Sequence, residues 1–406
     1  MAGNDQQLKM ATIYKLATRV YGVNVIDPIE GVGETVKEDV EGLYRINPLK
    51  DGPAHLRANE LVFYMGITTK LVYNPKSPLS LRRLDGKYWL FSQFNDEPLT
   101  DVRFTKRPYH YNLTTTSGTP MMEVGQAMGA DCLAIAVDKQ CHYFTNGTAC
   151  KYCNITPTNI TSGIPRFSRL EDIGELVKAT GRKFRFFDLT GGTFDDTNAE
   201  CKTYTLIGNT IKANLDKKEK YGGPFSLTPP EDLDLLEGLN QTDVDVISFN
   251  MDVWDLDALR EICPGKFKIG REKYVEALLV AKELWGRGNV AMQFIVGPWE
   301  SNESYLEGIR FFLEKGILVN LTTFAPSPNS PFRYKKSKSL TELIDLYVEY
   351  GELIRLYEFF PNERNSVLTS YVSNRSSISN ESARGFITKE NFDFEDLEKV
   401  VGGLNE

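Results

Sequence analysis

The stretch CLAIAVDKQCHYFTNGTACKYCNITP, residues 132–157, joins two signals. Its first six residues are an apolar run without polar alternation, as expected of a strand buried on both faces. The remainder is a loop that holds Cys141, Cys150 and Cys153, three of the chain's six cysteines, within thirteen positions. Outward from this stretch, short apolar segments alternate with longer helical patterns. Strands are predicted at 132–137, 184–190, 223–228, 244–250, 290–296 and 318–325, with helices such as LEDIGELVKATG and NESYLEGIRFFLEKG between them. That alternation is the pattern of βα units on a parallel sheet. Six units make an α/β fold of the partial (β/α)6 barrel kind. In parallel barrels the loops leaving the C-terminal strand ends carry the chemistry, and the cysteine loop is one of these.

Residues 1–125 read as an N-terminal α+β extension, with one helical stretch (KMATIYKLATRVYG) followed by strand-like pieces such as ELVFYMGI and KYWLFSQF. Residues 126–335 form the expected barrel core. Residues 336–406 begin with a long helix, SLTELIDLYVEYGELIRLYEFF, and continue into SYVSNRSSISNESARG, whose Ser and Asn content predicts a mobile tail. The 406 residues are 41% apolar and 25% charged, a soluble globular composition. A net charge of −8 with no basic stripe argues against a nucleic-acid partner. The start MAGNDQQLKM has no signal pattern, and no apolar run reaches the roughly eighteen residues of a spanning helix. No membrane partner and a cytoplasmic location are therefore expected. Six cysteines in a chain this long do not make a disulfide framework, so a reducing compartment follows, with thiols free to bind metal.

Several readings of the loop stand side by side. Structural zinc wants four ligands, and His142, next to Cys141, is an awkward fourth. A redox pair of Cys150 and Cys153 leaves Cys141 unexplained, and three incidental buried thiols would not cluster. A 4Fe–4S cluster held by three thiolates, with one iron open to a ligand, uses all three cysteines. The non-catalytic alternative is a metalloprotein with a zinc-binding loop.

Over residues 130–335 the chain resembles the radical S-adenosylmethionine enzymes, in a form similar to biotin synthase. Their usual CxxxCxxC is here CxxxxxxxxCxxC, longer by five residues in the first interval. The resemblance implies a 4Fe–4S cluster on Cys141, Cys150 and Cys153, with S-adenosylmethionine bound to the free iron. Tyr152 in CKYC stands where the family packs an aromatic ring near the adenine. TGGTF offers Gly191, Gly192 and Thr193 where relatives have Gly-Gly-Glu against the methionyl ammonium; Thr193 replaces the acid. SFNMD supplies Asn250 and Asp252 for the ribose diol, and Arg271 follows for the carboxylate. QFIVGPWE resembles GxIxGxxE, with Val296 or a neighbour offering backbone bonds to the adenine. The implied activity is reductive cleavage to methionine and a 5′-deoxyadenosyl radical, which takes hydrogen from a small-molecule substrate. An electron donor such as flavodoxin or ferredoxin, and sensitivity to oxygen, are implied with it. Cys132, Cys201 and Cys263 read as scattered, so no second cluster is expected.

Overall fold

The computed structural model of the chain describes residues 2–27, 29, 40–41, 45–46, 60–94, 96–105, 108–129, 131–180, 183–215, 221–327, 329–359 and 377–402. Six parallel strands, Cys132–Ala136, Phe186–Thr190, Phe225–Ser226, Ile247–Ser248, Val290–Val296 and Leu318–Thr323, lie side by side in chain order. Each is followed by helix: Leu170–Thr180 after the first, Thr197–Asn214 after the second, Leu235–Asn240 after the third. Three helices, Leu256–Ile262, Pro264–Ile269 and Arg271–Trp285, follow the fourth strand, Asn302–Glu314 the fifth and Leu340–Leu356 the sixth. Among the described residues the sixth strand does not pair back to the first, so the barrel is open. The free edge of the first strand is covered by a short antiparallel strand, Gln126–Met128.

The first strand is buried at all five positions, which explains its unbroken apolar sequence. The third and fourth strands keep only two residues each, registered Phe225↔Ile247 and Ser226↔Ser248, and are shorter than the sequence suggests. The fourth gives way early because its continuation turns at Asp252, a non-glycine residue at φ 72. Polar residues recur inside the strands at alternate positions. Asp188, Ser226, Ser248, Gln293 and Asn320 all face the barrel's internal cavity, while their neighbours pack into the core.

The N-terminal helix Ala2–Tyr21 leads into a six-stranded sheet built from residues 24–25, 60–62, 68–70, 79–84, 87–92 and 98–104. This layer touches both edges of the open barrel. At the sixth strand, the Arg19 guanidinium donates to the Thr323 carbonyl at 3.3 Å. Beside the first strand, the Gly129 amide donates to the Glu60 carboxylate at 2.9 Å. The C-terminal residues pack on the same helix: Lys15 pairs with Glu381 at 2.6 Å with both side chains buried, and Lys9 pairs with Asp396 at 2.6 Å.

The expectation of a mobile Ser/Asn-rich tail is corrected for residues 377–385. They contain the helix Ser379–Ala383, and Ser379, Asn380, Glu381 and Ser382 are fully buried. The serines bond inward: Ser379 donates to the Leu321 carbonyl at 3.3 Å and receives the Leu321 amide at 3.2 Å. Residues 370–376 of that stretch lie outside the described residues.

Breaking a buried ion pair from one side strands the other charge, at a typical cost of about 3–5 kcal/mol. Lys15→Met should therefore lower unfolding free energy by roughly that amount in a denaturant titration. The double variant Lys15→Met/Glu381→Leu should regain much of the loss, and a single variant as stable as the wild type would contradict this account of how the termini are held.

Candidate active site at the mouth of the open barrel

A cavity of about 490 Å³ runs from the cysteine loop down the inside of the barrel. Cys141, Cys150 and Cys153 all lie on its wall. The loop is held by the strand ends on either side of it. Asp138, fully buried, takes a two-point ion pair from Arg166 (2.8 and 2.6 Å) and receives the Gln140 amide at 2.8 Å. The Cys141 amide donates to the Thr156 hydroxyl at 2.9 Å, and the His142 amide to the Thr193 carbonyl at 2.8 Å.

Gly191 and Gly192 let this happen. A Cβ on Gly192 would come within 1.8 Å of the Gln140 carbonyl oxygen and 2.6 Å of the Cys141 Cα. A Cβ on Gly191 would lie 2.8 Å from the Asp138 nitrogen. The two glycines are thus needed for the second strand's loop to lie against the cysteine loop, whatever else they bind.

Beyond the cysteines the wall carries a buried charge network. Lys266, from the short helix after the fourth strand, pairs with Asp252 and donates to the Asn250 carbonyl at 2.5 Å. Tyr152, between Cys150 and Cys153, donates its hydroxyl to the same Asp252 and stacks on Trp299, ring centres 6.0 Å apart. Burial alone would lower the lysine's pKa, but the Asp252 carboxylate outweighs it and Lys266 is held well above its ordinary value. Burial and the same carboxylate keep the Tyr152 phenol protonated.

The thiols differ. Burial pushes Cys153 up to about 12 and raises Cys141 as well. Cys150 is lowered, chiefly by a hydrogen bond from Cys263, with Lys266 adding to it. Among the described residues no three His, Cys, Asp or Glu side chains converge as a closed single-ion site would require.

Glu200, one turn into the helix after the second strand, is a wall residue that sequence reasoning missed. It is 2% exposed, and its oxygens accept the amides of Thr228 (2.8 Å) and Phe194 (3.0 Å). Burial raises its pKa to about 7, with Asp138 adding to the rise. Thr193 sits beside it, accepting from the Thr228 hydroxyl at 3.0 Å. The signal was present in TFDDTNAE, but a third acidic residue after two aspartates reads as a solvated helix start.

The structure brings Tyr152, Gly191, Gly192, Thr193, Asn250 and Asp252 together on the cavity wall. It does not bring Arg271 or Val296 there. Arg271 stacks over the Trp254 ring at 3.9 Å and donates to the Trp254 carbonyl. Val296 is buried in the core, its carbonyl taken by the Phe324 amide at 2.9 Å. Glu300 of the QFIVGPWE stretch receives the amides of Trp254 and Asp255, tying down the loop after the fourth strand.

The expectation that the other cysteines are scattered is also corrected. Cys263 is buried against Cys150, 3.7 Å from the Tyr152 hydroxyl, and Cys132 lines the same cavity. Cys201 alone stands apart among the described residues, under the helix Leu235–Asn240.

No family model matches the chain. Among curated proteins it is similar to the bacteriochlorophyllide c C-7(1)-hydroxylase of Chlorobaculum limnaeum, 23% identical over 262 residues. The match takes in 58% of this chain and 65% of that protein, so the chain spans under two thirds of the relative's length. Similar solved structures include methylornithine synthase, with a TM-score of 0.42 and 20% identity over 56% of this chain and 63% of the other. A radical SAM methyltransferase from Sphaerobacter thermophilus matches at 0.40 and 13%, over 70% and 76%. Coproporphyrinogen III oxidase from Escherichia coli, described as a radical SAM enzyme, matches at 0.38 and 15%, over 58% and 55%. Two of these solved structures, the methyltransferase and the oxidase, are described as radical SAM enzymes, and it is to such proteins that this chain is similar.

Proposed function

We propose that the chain is a radical S-adenosylmethionine enzyme acting on a small molecule. The observation that carries this reading is the cavity shared by three thiols, a buried carboxylate and a buried ammonium at the strand ends. Three thiols on one wall are the donor set of a 4Fe–4S cluster with a free iron, and Cys141, Cys150 and Cys153 would hold it. When bound, that cluster supplies the electron that splits S-adenosylmethionine into methionine and a 5′-deoxyadenosyl radical able to take hydrogen from a substrate.

The remaining work belongs to the side chains. Glu200, ionised, is the acid available to a methionyl ammonium in place of the one that Thr193 lacks, with Gly191 and Gly192 on the same wall and the Gly192 amide committed to the Asp138 carbonyl at 2.8 Å. The carboxylate role expected of Arg271 passes to Lys266, because Lys266 is the cation on this part of the wall. Asn250 and Asp252 remain the partners for a ribose diol. Tyr152 is the ring available to an adenine. The role expected of Val296 does not pass to the backbone of its neighbour Ile295, whose amide donates to the Asp252 carbonyl at 2.9 Å and whose carbonyl accepts the Tyr305 hydroxyl at 3.0 Å. Burial of the site keeps water from a reactive radical. An electron donor such as flavodoxin or ferredoxin, oxygen sensitivity and a cytoplasmic location follow from the same reading. Among the described residues no helix is long and apolar enough to cross a membrane.

Anaerobic reconstitution tests this directly. Close to four irons and four sulfides per chain are expected, with 5′-deoxyadenosine formed on reduction. Cys141→Ala, Cys150→Ala and Cys153→Ala should each lower bound iron and abolish the nucleoside, whereas Cys201→Ala should change neither. Stoichiometric zinc without iron would sink the proposal.

Cofactor affinity separates the two candidate cations. A lost charged hydrogen bond typically costs about 1.5–3 kcal/mol, or roughly ten- to a hundredfold in affinity. Lys266→Met should weaken S-adenosylmethionine binding by about that factor in a calorimetric titration, and Arg271→Met should leave it near the wild-type value. The reverse ranking would return the role to Arg271.

Glu200 adds a pH signature. Its carboxyl is neutral below about 7 and charged above, so affinity for the cationic ligand should rise as pH passes through 7. In Glu200→Gln that rise should vanish, leaving a flat, weak profile between pH 6 and 8. An unchanged profile in the variant would mean that another group faces the ammonium.

A further inference from the structure

The cavity is not walled by the barrel alone. Arg19, from the N-terminal helix, and Lys70, from the strand Thr68–Lys70, both line it, at 3% and 7% exposure. The elements that carry them pack on each other: the Thr69 hydroxyl donates to the carbonyl of Lys15, one helical turn before Arg19. Arg19 is aimed by its bond to the Thr323 carbonyl at the end of the sixth strand. Two cations from outside the barrel thus line the cavity that the thiols line.

Polar side chains from the strands stand in the cavity wall among apolar ones such as Met128, Ile295 and Phe324. Gln293 and Asn320 are register partners on the fifth and sixth strands, and Thr322 donates to the Gln293 amide oxygen at 3.0 Å. Asp188 faces the same space from the second strand. These amides and hydroxyls disfavour a wholly apolar ligand, because buried polar groups would be left without partners. A buried guanidinium and ammonium gain from any negative charge brought beside them in a water-poor cavity.

Building on the radical reading, we infer that the substrate is a small, hydrophilic oxyanion. Its carboxylate or phosphate lies against Arg19 and Lys70, and its hydroxyl or amino groups meet Gln293, Asn320 and Asp188. The N-terminal layer then selects the substrate while the barrel carries the cofactor. The hydrogen to be removed lies on the part of the molecule facing the cysteine loop.

Equilibrium binding to the reconstituted full-length protein, with S-adenosylmethionine present, tests this with matched probes. These are L-glutamate against its dimethyl ester, gluconate against glucose, glucose 6-phosphate against glucose, and inorganic phosphate against chloride at equal ionic strength. At least one anion should bind about tenfold or more tightly than its neutral or halide counterpart. A preference confined to glutamate and gluconate identifies a carboxylate site, and one confined to the phosphates a phosphate site; either supports the inference. Arg19→Met and Lys70→Met should erase the preference, and Lys70→Arg should keep most of it. If the neutral variants do not fold, the wild-type comparison decides alone. No preference in any pair, or an unchanged preference in correctly folded Met variants, overturns the inference. Because the readout is binding, failure to form 5′-deoxyadenosine would count against the radical reading and leave this result separately legible.

Discussion

The buried contact of Lys266 with Asp252 is the point on which the site hangs. Asp252 takes the Lys266 ammonium and the Tyr152 hydroxyl together, so one carboxylate ties the cysteine loop, the end of the fourth strand and the helix Pro264–Ile269. A charge this deep is tolerable only when paired and hydrogen-bonded. The pairing in turn fixes where Cys150 and Cys153 stand, because Tyr152 lies between them in sequence. It also bears on the electrostatics of the thiols, since Lys266 favours the thiolate of all three. The same helix begins at Cys263, whose thiol bonds to Cys150, so the loop is gripped twice by one short segment.

Much of the architecture was legible in the sequence. Six apolar strands separated by helical patterns predicted the six parallel strands of the open sheet, and the position of the cysteine loop after the first strand predicted the cavity mouth. The polar interior was also written there, in the single Asp188, Gln293 and Asn320 set into otherwise apolar strands. A polar residue at the centre of a buried parallel strand has nowhere to point except into a cavity. What was not legible depends on contacts distant in sequence. Lys266 sits in a three-helix excursion that reads as one turn and one helix, so Arg271 looked like the natural cation. Cys263 meets Cys150 across more than a hundred residues. The SISNESA stretch has the composition of a solvated tail, yet it is buried because its hydroxyls bond to the sixth strand's backbone at Leu321 and to one another.

The glycine pair after the second strand shows how one feature carries two readings. As a ligand edge it offers backbone groups to a cofactor. As packing it is required regardless, because a Cβ on Gly192 would collide with the Gln140 carbonyl at 1.8 Å. The packing requirement explains why the cysteine loop can lie across the strand ends at all. The longer first interval of the motif fits there too: the turn His142–Thr145 and the Asn146–Gly147 bend fill the added length, and the Thr148 amide closes back on the Tyr143 carbonyl at 2.8 Å.

An open sheet of six strands has an unsatisfied side, and this chain closes it with its own N-terminal layer. The closure is polar where it meets the barrel, through Arg19 at one edge and Glu60 at the other, and is braced from behind by the buried Lys15–Glu381 pair. Buried ionic contacts contribute little net stability compared with apolar packing, but they tolerate few alternative registers. For a layer that must place two cations at fixed points in a cavity, that intolerance is the useful property. A purely apolar seam could slide by a residue at small cost and carry Arg19 and Lys70 away from the wall. The polar seam holds both cations at the cavity through which the thiols are reached.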